Sequence, residues 1–162
     1  MSPDIEQILL ENERLIFGIC RTFYKEKADQ EDLFQEIIIR MLKSFDSYRG
    51  NSKLSTWLYR IGMNTAITYK KQKQRYAVNM LSDNISIQGQ DEGYVKGESD
   101  IDFLYRAIEK LNKIEKAIIH LYLEENTYAE IAEITGISEK NVSVKIVRIK
   151  RKLKDIILEL QK

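Results

Sequence analysis

The 162-residue sequence predicts an all-α protein: two small helical domains joined by a flexible acidic linker, the second domain a helix-turn-helix. Three observations predict it. Apolar residues recur at helical spacing at both ends of the chain, while strand-like alternation is weak. Residues 83–100 break that pattern with Gly89, Gly93 and Gly97 set among acids, and hold too few apolar side chains to pack. Residues 127–142 carry the small residue, the glycine and the cap that a tight turn between crossing helices requires. The predicted units are therefore 1–82, the linker 83–100, and 101–162.

The elements follow in order. Ser2 and Pro3 read as a helix start, cap and then first helical position. Ile5, Ile8, Leu9, Ile16, Ile19, Cys20 and Phe23 continue that helix to about Lys25. A second helix opens at Asp29, where Glu31 and Asp32 add acid to a first turn whose dipole favours it. Its inner face is Leu33, Ile37 and Met41, with Phe45 at its end. Asp46 to Lys53 is a polar turn, broken at Gly50-Asn51. A third helix runs from about Ser55 to Arg75; Trp57, in phase with Leu58 and Ile61, reads as core, and the far end is basic. After the linker, Ile101, Leu104, Tyr105, Ile108 and Leu111 mark one helix, and Ile114, Ile118, Leu121 and Tyr122 the next.

Charge is sorted along the chain. The net charge is only +1, yet 47–82 holds seven bases and no acid: Arg49, Lys53, Arg60, Lys70, Lys71, Lys73 and Arg75. Residues 140–154 again hold seven bases and no acid, which leaves 12 bases against 25 acids elsewhere. Two basic surfaces imply two contacts with a polyanion, nucleic acid above all, and the acidic remainder implies a partner of another kind.

The sharpest motif is Thr127 to Val142. Ala132 is small where helices cross, Gly136 supplies a positive φ, Ile137 plugs the corner, and Ser138 caps the next helix. That helix buries Val142, Ile146, Ile149 and Leu153. Its other face offers Lys140, Ser143, Val144, Lys145, Val147, Arg148 and Arg151, a composition suited to a major groove, with Ser138 and Asn141 at its tip. Catalysis finds no support: no nucleophile–base pair, phosphate-binding glycine loop or cofactor motif stands out, and Cys20 and His120 alone offer no metal-site spacing. Cys20 reads as a buried, inert thiol and His120 as a packed or surface histidine. No run approaches the ~18 apolar residues of a membrane span, and the N-terminus does not read as a secretory signal, so a cytoplasmic protein is expected.

At this point the chain resembles the sigma-70 family of bacterial RNA polymerase initiation factors, in its two-domain extracytoplasmic-function group. The segment TYAEIAEITGISEKNVSVKIVRIKRKL is similar to that family's −35-reading helix-turn-helix, and ADQEDLFQEIIIRMLKSFDSYRGNSKLSTWLYRIGMNTAI to its core-binding and −10-reading domain. The resemblance implies that Asp32, Leu33, Gln35 and Glu36 dock on a coiled coil of the polymerase's largest subunit. It implies that the turn Tyr48, Arg49, Asn51, Ser52 and Lys53 takes a flipped −10 base, with Asn64 touching the same element, Tyr59 a stacking candidate, and Lys70, Lys71 and Lys73 along phosphates. Capture of an unpaired base by a polar loop is physically reasonable. Group membership further suggests an anti-sigma factor, though no residue identifies one. Two departures stand out. Asn112 replaces the proline that usually opens the second domain, and Ser143 stands where many members carry a base, so promoter sequence does not transfer.

A stand-alone helix-turn-helix regulator would explain residues 127–154 but leave the first domain and its basic run idle. It would also require a dimer helix, and no heptad pattern supplies one. A purely protein-binding scaffold explains neither acid-free run.

Overall fold

The computed structural model describes residues 4–80 and 99–162, with side chains for 4–69 and 99–162. The described residues are helical, with no strand among them. The first half holds α1 (Ile5–Glu11), α2 (Glu13–Phe23), α3 (Lys27–Ser44), a single 3₁₀ turn (Phe45–Ser47) and α4 (Leu54–Met80). The second holds α5 (Asp100–Glu109), α6 (Lys113–Leu123), α7 (Tyr128–Thr135) and α8 (Glu139–Leu160).

The expected first helix is two. Asn12 interrupts it, turning its side-chain amide back to donate to the Ile8 carbonyl at 2.8 Å. A short amide side chain that competes for backbone groups favours such a break. The described chain begins at Asp4, which caps α1; Ser2 and Pro3 lie outside it. The linker expectation likewise falls on residues 81–98, outside the described residues. The third predicted helix is longer than its apolar pattern, reaching Met80.

Locally encoded ends are as the residues dictate. Asn112 caps α6 in a reciprocal box with Glu115, so the position expected to hold proline starts the helix by another route. Thr127 and Glu130 form the same box at α7. Gly136 ends α7 at φ 77°, and Ser138 Oγ accepts from the Asn141 amide at 3.2 Å to start α8. Gly136 is thus required by conformation, as is Gly50, at φ 73° in the turn before α4.

In the first half, Ile16, Ile19, Leu33, Ile37, Met41 and Leu58 are fully buried; in the second, Ile118, Leu121, Ile131, Ile146 and Ile149 are. Each such side chain stabilises by about 1.5–3 kcal/mol. Trp57 is buried as expected, its ring edge-on to Phe45 at 6.1 Å and tilted to Tyr48 at 5.3 Å.

The two halves are packed together, which the sequence did not reveal. Helix α2 lies against α5 and α6, and α4 against α6 and α7. At the centre His120 is buried, sharing a 2.7 Å hydrogen bond between Nδ1 and Thr22 Oγ1 and meeting the Tyr59 ring edge-on at 6.3 Å. Gly18 makes room for it: a β-carbon there would lie 3.3 Å from His120 Cε1. Around this centre the Arg21 guanidinium stacks on Tyr105 at 4.2 Å, and Lys113 donates to the Ile67 carbonyl at 3.3 Å.

Candidate nucleic-acid and partner interfaces

The reading helix is built as expected. Val142, Ile146, Ile149 and Leu153 pin α8 to the core, and every fourth or third position between them faces out. Ser138, Lys140, Asn141, Lys145, Arg148 and Arg151 are exposed, and Ser143 is half-buried. Val144 and Val147 stand 42% and 54% exposed among these bases. Exposed valines beside cations on one face are costly in water and useful in a groove, where apolar groups meet thymine methyls. Lys150, farther round, instead stacks over Tyr122 and donates to its hydroxyl at 2.6 Å.

Two residues on this helix separate reading from holding. Arg148→Ala is expected to cost about 1–3 kcal/mol on a cognate duplex and to relax preference at one base pair. Lys145→Ala should weaken all sequences alike and lower the salt slope by about one. A promoter library that shows equal, sequence-blind losses for both rejects base reading by Arg148.

The turn before α4 is a stapled polar loop. The Tyr48 hydroxyl donates to the Ser52 carbonyl at 2.8 Å, closing the turn around Gly50. This leaves Arg49, Asn51 and Lys53 exposed, with Ser52 half-buried. Asn64 is exposed on α4, opposite buried Thr65 and Ala66. The rise from Leu54 to Asn64 is about 15 Å, roughly three turns, so loop and asparagine are set apart along one ridge. Lys70, Lys71 and Lys73 continue that helix, with side chains outside the described residues.

Tyr59 corrects the sequence reading. It was a stacking candidate, but it is 6% exposed, closed in by His120 from the other half. Burial, with Glu124 nearby, pushes its phenol up to about 12.

Leu33 is the second correction. It is 0% exposed, in line with Ile37 and Met41, and cannot touch a partner. Asp32 and Gln35 are exposed and Glu36 is half-buried, paired with Arg40 at 3.1 Å. Ile39 and Leu42, 44% and 46% exposed, extend this face beyond the residues first singled out. Their signal was in the run Ile37-Ile38-Ile39: a helix that buries the first of three consecutive isoleucines must turn the third outward. Phe17 stacks on Phe34 at 4.1 Å at its flank. Cys20 is fully buried, and desolvation pushes its thiol up to about 12, the inert state expected of it. Among the described residues no group of His, Cys, Asp and Glu could hold a metal ion, and no helix is long and apolar enough to cross a membrane.

Residues 8–76 match the family model for Sigma-70 region 2, and residues 103–153 that for Sigma-70, region 4. The chain is 30% identical over 139 residues to RNA polymerase sigma factor YlaC of Bacillus subtilis (strain 168), covering 83% of this chain and 79% of that one. The chain belongs to the extracytoplasmic-function group of the sigma-70 family. Its similarity to the ECF RNA polymerase sigma-E factor of Escherichia coli (strain K12) is 30% identity over 137 residues, 77% of this chain and 72% of that one. The fold is that of the sigma factor RpoE solved with the anti-sigma factor NepR from Bartonella quintana: TM-score 0.72, 21% identity, 98% of this chain and 99% of that one. CnrH, solved with the cytosolic domain of CnrY, gives 0.65 at 16% identity over 99% and 93% of the two chains. In this sigma factor the helix-turn-helix falls in region 4, and the stapled loop and acidic α3 face fall in region 2.

Proposed function

We propose that this sigma factor binds core RNA polymerase through α3, directs it to promoters through α8 at −35 and the α4 ridge at −10, and assists strand opening. The single observation that supports it most is the pairing within one family-matched chain of an exposed, acid-free reading helix with a polar loop on a basic helix. The units are 1–82 for core binding and −10 contact, 83–100 as linker, and 101–162 for −35 contact. Bond-making belongs to the polymerase; this chain is an initiation factor rather than an enzyme. It works in the cytoplasm, where its polymerase is, and an anti-sigma factor is the expected regulator, as for RpoE and CnrH in their solved complexes.

Run-off transcription with purified core polymerase on a promoter pool tests the whole reading: transcripts from a defined subset support it, and none from any template rejects it. Opening has its own test. The double variant Asn51→Ala with Asn64→Ala should slow open-complex formation more than it weakens closed-promoter binding, since strand capture rests on hydrogen bonds and stacking. Permanganate footprinting over time beside gel-shift titration separates the steps, and unchanged opening rates would leave the ridge a phosphate clamp.

A further inference from the structure

The contact between the halves involves acids of one nucleic-acid-binding unit and bases of the other. Glu130 Oε1 of α7 accepts from Lys53 Nζ at 3.0 Å, and Glu133 Oε1 accepts from Arg60 at 3.4 Å, where the Glu133 carbonyl also receives the same guanidinium nitrogen. Lys53 belongs to the stapled loop, and Arg60 lies two turns into α4, both in the acid-free run 47–82. Tyr59, between them on the same helix, is covered by His120. Phosphate oxygens and carboxylate oxygens ask the same thing of Lys and Arg, a charge-assisted hydrogen bond. Glu130 and Glu133 thus sit where a nucleic-acid backbone would.

The masking is one-sided. Helix α7 turns its acids onto α4, while α8 keeps Lys140, Lys145, Arg148 and Arg151 exposed. We propose that the closed chain is a self-blocked state: α7 occupies the −10 ridge of region 2, so the free factor withholds its single-strand site while leaving its −35 helix open. Strand capture then requires region 4 to swing off region 2. The inference rests on the reading of α4 as the −10 ridge.

Glu130 has a second duty. Its other carboxylate oxygen accepts from the Thr127 amide at 2.7 Å, and this bond, before that of Lys53, holds its carboxyl below the ordinary range. A test substitution must therefore keep an acceptor there. Glu130→Gln with Glu133→Gln does so and removes both charges. Asp155→Asn with Glu159→Gln makes the same charge change on exposed positions of the same half, away from the contact.

The experiment uses the full chain without polymerase and reads fluorescence anisotropy of a labelled 20-nucleotide single strand and of a 20-base-pair duplex. Dyes on Lys43→Cys and Gln161→Cys report closure by energy transfer, since native Cys20 is buried. The glutamine pair should bind the single strand about five- to ten-fold tighter, by raising the open fraction, with duplex binding changed less than about two-fold and transfer reduced. An equal gain in the Asp155/Glu159 control would make the effect bulk charge and overturn the block. Unchanged energy transfer would overturn it as well. Transfer that falls with no gain on the single strand would refute α4 as the masked site; run-off transcription by the same variant then shows whether promoter function stands without it.

Discussion

Glu36→Lys is expected to lose most of its co-purification with core polymerase, at least about ten-fold in affinity, or ~1.4 kcal/mol. Asp32, Gln35, Glu36 and Ile39 lie at helical spacing on one exposed face of α3, the face proposed to dock. Reversing a charge inside a complementary interface costs more than deleting it, because the partner's cation is then opposed rather than merely unpaired. The fold should tolerate the change. Glu36 loses its pair with Arg40, but an i,i+4 pair on a helix contributes only about 0.2–0.5 kcal/mol. Helix α3 is held from its other side by Leu33, Ile37 and Met41. Circular dichroism and thermal midpoint should match wild type. A folded variant recovered with core in normal yield would move the docking site off this face.

Acid should loosen the molecule through His120. Burial lowers its imidazole from 6.5 to about 4, and its neighbours are the Thr22 hydroxyl on α2 and the Tyr59 ring on α4, with Glu124 just beyond it on its own chain segment. Between those two values the unfolded or opened chain binds a proton that the closed chain refuses. Stability from the neutral, buried ring is therefore fully present above pH 6.5 and is lost as pH falls toward 4, by on the order of 3 kcal/mol. Urea unfolding at a series of pH values in that window should show wild type declining more steeply than His120→Gln. Carboxylates titrating over the same range act on both proteins and cancel in the comparison. Parallel profiles would mean that His120 does not set the acid sensitivity of the contact.

What the sequence disclosed, and what it hid, divides by range. The helix-turn-helix was legible because Thr127, Gly136 and Ser138 act on backbone within three residues of themselves. Trp57 was placed correctly because its phase with Leu58 and Ile61 is local too. Leu33 was drawn toward the partner by the acids around it, although its spacing to Ile37 and Met41 already put it inside. Asn12 was passed over because the apolar period on either side continues through it, and nothing in a periodic pattern marks a side chain that turns back on its own helix. Tyr59 could not be assigned at all from its own segment. What buries it is a histidine on another helix, and that meeting is a property of the assembled halves.

That long reach bears on the order in which the molecule forms. Thr22 and His120 are 98 residues apart in the chain, so their bond closes a very large loop. Contacts of this separation are entropically late, while α3 packing on α2 and α4 needs only near neighbours. A chain emerging from the ribosome therefore completes its first domain with the outer side of α2 still wet and the α4 ridge uncovered. Only once α6 and α7 have been made can the second half fold down onto it. For that interval the newborn protein carries its docking face and its strand-binding ridge in the open, before it has the means to cover either.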